Sequence, residues 1–355
     1  MAKKTRNGYI DLLRFVAACV IMYFHFGSAP FIRLDGTPGS FPSGALFVEF
    51  FFMLSGYYAI SSFQRSHGSL NIGKFMLKKY VHFLPYTFIA VAFSYAWVLC
   101  FSTPSVYEGV KALAMAPFEA LLLRNTGINL AGSTGVLWYL SAMLIAMPIV
   151  LYAARRFPAV FKEYLVWVLP LCLYGYILHQ IGTIRTSDWM LSNLRAIAGL
   201  LLGCNIYYIL RAVEKVQFHS LGKTLLTVSE LLLLALILLF CTVRSFSKTY
   251  LDAFCLLLMY LFTMIALSGK SWTSKIHGRF FTYLGKISLP IYCIHFNIIN
   301  LINRFFGNFD MEYKLLIYTA LVFVAAILVQ LFVDYAISPV LKYFTGKCRS
   351  LASQN

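Results

Sequence analysis

Apolar runs of about 20 residues recur along the chain, apolar around their whole circumference and bounded by short polar stretches. That pattern predicts helices that cross a bilayer, not the one-sided amphipathic helices of a water-soluble core. Ten spans are predicted, near 9–28, 43–62, 83–102, 135–153, 164–181, 190–210, 224–243, 250–268, 284–303 and 313–336. The expected fold class is all-α: a polytopic membrane protein of about ten transmembrane helices, one domain over 1–355. The first run is too long for a signal-peptide core and lacks a small-residue cleavage pattern, so it is expected to remain as a helix. Two connections are long. Gln64 to His82 is basic and leads into the third span. Thr103 to Thr134 contains an amphipathic piece, Val106 to Leu123, expected to lie on the membrane surface or re-enter. Pro117 and the cluster Gly127, Gly132, Gly135 argue there against an uninterrupted helix.

Polar residues inside apolar runs are the candidates for chemistry, because an ionisable group at membrane depth costs roughly 2.5–3.5 kcal/mol on insertion scales. Asp11, Arg14 and His25 interrupt the first run. Arg14 and His25 are eleven residues apart, about three turns, and Asp11 lies one turn before Arg14, so the three share a stripe. His25 suits a general base or transient nucleophile, its reference pKa being about 6.5. The competing reading has Arg14 snorkelling to headgroups and His25 bonding a neighbouring carbonyl. Glu49 is an isolated carboxylate in an aromatic helix, expected beside His25 to orient its ring or at an external rim. Lys74, Lys78, Lys79 and His82 recur at successive turns before Pro85, making an anion site for phosphates or an ordinary cytoplasmic flank. Trp138 and Tyr139 open span four as an interfacial anchor or a substrate contact. Ser288, Tyr292 and His295 form one polar stripe in span nine. Arg195, followed by Gly199 and Gly203 on its face, admits an anionic group, a sugar or a lipid headgroup. His67, His179, His219 and His277 have no partner pattern and receive no role.

Composition agrees with this reading: 60% of residues are hydrophobic and only 12% charged. The net charge of +17 raises nucleic acid as a partner, but its distribution removes it. With the N-terminus in the cytoplasm, nineteen of the thirty Lys and Arg fall on that side, among them Lys3, Arg6, Arg65, Lys342 and Arg349. Seven, among them Arg33 and Arg185, fall outside. The basic balance therefore reports topology, and an even number of spans puts both termini in the cytoplasm. Seven of the eight cysteines lie in spans and Cys348 in the tail, without CxxC or metal-like spacing, so they read as buried packing thiols and no metal is expected.

Taken together, these segments resemble the acyltransferase-3 family of integral membrane acyltransferases. Asp11 with the Arg-x10-His spacing of Arg14 and His25 resembles its first-helix signature, and "VEFFFMLSGYY" its "GVDLFFVLSGF" segment, with Glu49 in the acid position. "FMLKKYVHFLP" resembles its "F-x-x-R-R-x-x-R-x-x-P" segment, "LWYL" its "W-[FY]-L" element, and "YLGKISLPIYCIH" its "LGxxSYxIYLxH" segment. The family's R-x-x-R pair is Lys79 and His82 here, a point charge and an imidazole in place of two bidentate forks. The resemblance implies acyl transfer, acetyl from acetyl-CoA as the donor substrate, to a hydroxyl of a cell-surface or lipid-linked carbohydrate or glycolipid. It implies His25 as the catalytic residue, Arg14 as its companion, a bacterial inner membrane, and transfer directly or within a glycan-synthesis complex. The alternative class is a transporter or flippase using Asp11, Arg14, His25 and Glu49 as a polar pathway, for which an inverted repeat is expected and none is visible. A non-catalytic scaffold is a third.

Overall fold

The computed structural model describes residues 7–32, 38–102, 105–127, 134–186 and 188–340. Lys3, Arg6, Arg33, Gly132, Lys342, Cys348 and Arg349, on which part of the charge, turn and cysteine readings fell, lie outside them.

Helix α1 (Gly8–Phe26) starts where Asn7 stops the preceding chain: its side chain accepts from the Tyr9 and Ile10 amides at 3.0 and 3.3 Å, satisfying donors no helix partner can reach. Then come α2 (Phe47–Arg65), α3 (Ile72–Phe101), α4 (Val106–Ala120), α5 (Trp138–Arg156), α6 (Pro158–Ile181) and α7 (Trp189–Ala212). The chain continues through α8 (Ser220–Thr242), α9 (Asp252–Ser268), α10 (Arg279–Phe305) and α11 (Met311–Phe332), which runs on through a π-turn to Val340. Among the described residues nine helices are long and apolar enough to cross a membrane, and α9 is a shorter apolar helix of 17 residues. The all-α polytopic expectation is met, with nine such helices and one shorter apolar helix where ten spans were expected. Among the described residues one antiparallel ladder, β1 (Ala29–Ile32) with β2 (Pro38–Gly39), follows α1.

Three local expectations are corrected. Helix α3 starts at Ile72, not near 83, because the Asn71 side chain caps it by accepting from the Lys74 amide at 2.9 Å. Lys74, Lys78, Lys79 and His82 therefore stand on a helix, with Pro85 inside it. Helix α4 runs unbroken through Pro117. The ring removes one backbone bond, the one to the Leu113 carbonyl, and the helix ends three residues later at Ala120. The cysteines divide: Cys204, Cys241, Cys255 and Cys293 are buried, Cys19 is half-buried, and Cys100 and Cys172 are exposed on the helix bundle.

Packing follows from small residues where helices touch. Helix α2 packs along α7. A Cβ at Gly56 would overlap the Leu200 carbonyl, and one at Gly203 the Met53 carbonyl, so these two glycines set the distance of closest approach. Helix α1 runs beside α10 in the same direction: Gly8 abuts Ile276 and His277, and Asp11 lies where a Cβ at Gly285 would stand. Lys286, early in α10, pairs with Asp334 just beyond α11 at 3.4 Å. The start of α1 and the C-terminal end of α11 thus lie on one face, hereafter the basic face.

Candidate active site

Helices from along the whole chain, from α1 to α10, converge on a cavity of about 2120 Å³ that opens on the basic face. Helix α1 contributes Asp11 and Arg14, paired at 3.6 Å, so two of the three members of the stripe read from the sequence face the cavity. Helix α3 contributes Lys78, Lys79, His82 and the Phe75 ring, over which the Lys79 ammonium lies at 5.6 Å. From α2 come Phe51 and Ser55 at depth and Arg65 at the rim, and α7 ends in Tyr207, Tyr208 and Arg211. Lys162 and Lys270 complete a lining in which cations far outnumber the acids, Asp11 and Glu214. His67 and His277, which the sequence left without a role, line it too. The deep end is hydroxyl-rich and aromatic, with Tyr139, Ser288 and Tyr292. Tyr292 donates to the Val136 carbonyl, which fixes its ring against Tyr139 with centroids 5.7 Å apart.

His25 does not line this cavity. It stands in the last turn of α1, half-buried, between the rings of Phe24 and Phe296. Its partner is the fully buried His295 of α10: His25 Nδ1 and His295 Nε2 are 3.1 Å apart. One turn back along α10, Tyr292 stands with its ring centroid 6.0 Å from that of His295, linking the cavity to the imidazole pair.

The tautomers are inferred from the hydrogen-bond partners. His295 Nδ1 lies 3.0 Å from the Ile291 carbonyl, and His25 Nδ1 lies 3.0 Å from the Ile21 carbonyl. A carbonyl can only accept, so each Nδ1 carries the hydrogen. His295 Nε2 is then an acceptor for the His25 Nδ1–H, and the lone pair of His25 resides on Nε2, the atom left for chemistry. A cation formed on His25 sits at the C-terminal end of α1, where the helix dipole favours it.

The structure gives Glu49 a different neighbourhood from the one expected. Its carboxylate, fully buried, accepts from Arg195 Nε and from the Tyr174 hydroxyl. The ring of Trp138 covers the Arg195 guanidinium at 5.2 Å. Glu49 is thus saturated by α6 and α7, and the partners of the His25 ring are the Ile21 carbonyl and His295, not Glu49. Arg195, 1% exposed, is a partner for this internal carboxylate and is absent from the cavity wall. Arg185, counted among the external cations, is likewise buried, against Asp252 at 3.0 Å. Of the residues singled out, the cavity collects Asp11, Arg14, Lys78, Lys79, His82, Tyr139, Ser288 and Tyr292 but not Lys74, while His25 with His295 and Glu49 with Arg195 and Trp138 form two further groups. The pairing of the two histidines escaped the sequence reading. Its signal was the polar stripe of span nine, whose last member is His295.

No curated protein and no solved structure matches the chain. A family model described as an acyltransferase domain matches residues 7–334.

Proposed function

The chain belongs to the acyltransferase-3 family of membrane acyltransferases, and from that premise we propose that it moves an acyl group, acetyl above all, from acyl-CoA to a carbohydrate hydroxyl. The observation that carries this reading is a cation-lined cavity whose deep end meets, through Tyr292, an imidazole pair with one free lone pair. Its volume exceeds the roughly 300–1,000 Å³ of a drug-sized site, which suits a long polyanionic donor.

In this scheme the donor's phosphates lie against Lys78, Lys79 and His82, with Arg14, held by Asp11, beside them. Its thioester reaches the Tyr139–Tyr292 end, and passage of the carbonyl to His25 requires Tyr292 to give up its hydrogen bond to the Val136 carbonyl. His25 Nε2 takes the acceptor's hydroxyl proton as that oxygen attacks the thioester carbonyl. The C–O bond forms, the C–S bond breaks, and the thiolate leaves and receives the proton from His25. A two-step variant has Nε2 attack first: the N–C bond forms as the C–S bond breaks, leaving an acyl-imidazolium and the thiolate, and the acceptor oxygen then takes the acyl group as the N–C bond breaks and its proton passes to the thiolate. In both, the Nδ1–H bond to His295 Nε2 strengthens as positive charge builds on His25. His25 lies toward the face opposite the cavity mouth, so the acceptor, a cell-surface or lipid-linked glycan at a bacterial plasma membrane, approaches from there. The transporter alternative has less support: Asp11 pairs with Arg14 while Glu49 pairs with Arg195, so the four residues fall into separate groups.

The test is turnover by purified protein in detergent with acetyl-CoA and a saccharide panel, followed by thiol release. His25→Ala is expected to lower kcat by at least about 10²–10⁴-fold with the melting temperature intact. Unchanged turnover in that variant removes the mechanism.

A further inference from the structure

One part of the cavity takes no part in the scheme above. Where α2 and α7 end together on the basic face, Tyr57, Tyr58, Tyr207 and Tyr208 line it beside Arg65 and Arg211. The four rings meet edge to face: Tyr57–Tyr207 at 5.8 Å and 66°, Tyr207–Tyr208 at 5.6 Å and 73°, Tyr57–Tyr58 at 5.3 Å and 83°. Gln64 Nε2 donates to the Tyr208 hydroxyl at 3.0 Å and ties the two helix ends to each other. Arg65 is laid along α2 by its Nε bond to the Ser61 carbonyl at 3.1 Å, and Arg211 pairs with Glu214.

The plain explanation of arginines at two helix C-termini is that they complement the terminal carbonyls. That explanation does not call for four tyrosines at the same place, turned to a polar cavity and not to lipid. Aromatic faces with guanidinium groups beside them are what a nucleobase with a nearby phosphate requires. The opposite wall offers a different chemistry: on α3 the lysines supply charge, and the Phe75 ring is already covered by Lys79. The depth fits as well. Arg65 and Phe51 both line the cavity from α2, and fourteen residues of helix span about 21 Å. A ligand that extends from rim to Tyr292 therefore needs a bulky end and a long thin arm.

We propose that the Tyr57–Tyr58–Tyr207–Tyr208 cluster with Arg65 and Arg211 is a subsite for a purine nucleoside bearing a ribose phosphate, the 3′-phosphoadenosine end of coenzyme A. The proposal rests on the acyl-CoA reading for its biological ligand but names different residues. The base stacks among the tyrosines, the 3′-phosphate meets the two guanidiniums, and the pyrophosphate then falls on the α3 wall.

Binding to the full chain in detergent, measured calorimetrically, tests it with two probes. Adenosine 3′,5′-bisphosphate is expected to bind at least tenfold more tightly than adenosine 5′-monophosphate. The double variant Arg65→Ala, Arg211→Ala, at two exposed positions, is expected to erase that preference, and Tyr207→Ala to weaken both probes alike. Equal affinities in the unaltered protein, or a preference that survives the double variant, overturn the subsite. Turnover of acetyl-pantetheine, which lacks the nucleotide, separates the two proposals. His25-dependent turnover without a bisphosphate preference leaves the transfer chemistry standing and the subsite fallen. A bisphosphate preference without turnover of any thioester does the reverse.

Discussion

Two imidazoles that share one hydrogen bond have unequal duties, and their partners divide them. His295 is buried with Nδ1 on the Ile291 carbonyl, so only its Nε2 is available, and that atom faces His25. His25 keeps a second acceptor, the Ile21 carbonyl, so its tautomer survives the loss of His295, but its cationic form loses an acceptor. His295→Phe is therefore expected to lower kcat by about 10- to 100-fold, with KM for the donor unchanged. His295→Gln, whose amide oxygen can accept in the same place, is expected to recover part of the loss. A His295→Phe enzyme with unaltered kcat and pH–rate profile would show the pair to be packing only. At this scale the sequence was informative about single residues and silent about pairs. His25 was legible because it is an isolated titratable side chain in an apolar run, whereas the partner of Glu49 lies 146 residues away and competes with every other cation in the chain.

Among elements, the α2–α7 contact has the least freedom. Gly56 and Gly203 bring the backbones together, and one turn or two toward the other face Glu49 reaches Arg195 on α7 and Tyr174 on α6. Three helices are thus joined by one carboxylate in a fully buried place. Removing its charge leaves the Arg195 guanidinium desolvated and unpaired, which costs about 3–5 kcal/mol in buried pairs. Glu49→Gln is expected to lower the melting temperature in detergent markedly while the folded fraction keeps its kcat. A stable variant with lost kcat would instead return Glu49 to the chemistry. The helices themselves were legible, since ten apolar runs became ten apolar helices. Their ends were less so. The α3 start depends on one capping side chain, Asn71, and the passage of α4 through Pro117 depends on how close that ring lies to the helix end.

For the whole molecule, the positive-inside pattern accounted for how many cations one face carries. It could not show that Arg14, Arg65, Lys78, Lys79, Lys162, Arg211 and Lys270, from helices far apart in sequence, line a single cavity. That convergence concentrates positive potential in the cavity, and the attraction it exerts on an anion is screened as the Debye length shrinks from about 10 Å at 0.1 M salt to about 3 Å at 1 M. KM for acetyl-CoA is expected to rise several-fold over that range while kcat holds. A salt-independent KM would mean that the cations serve topology alone.

The Glu49–Arg195 bond also constrains how the protein is made. Synthesis proceeds N-terminal end first at about 5–20 residues per second, so the acid is delivered to the bilayer some 7–30 seconds ahead of the base it will hold. Until the seventh helix arrives, the second therefore carries its acid without the partner that the finished bundle provides.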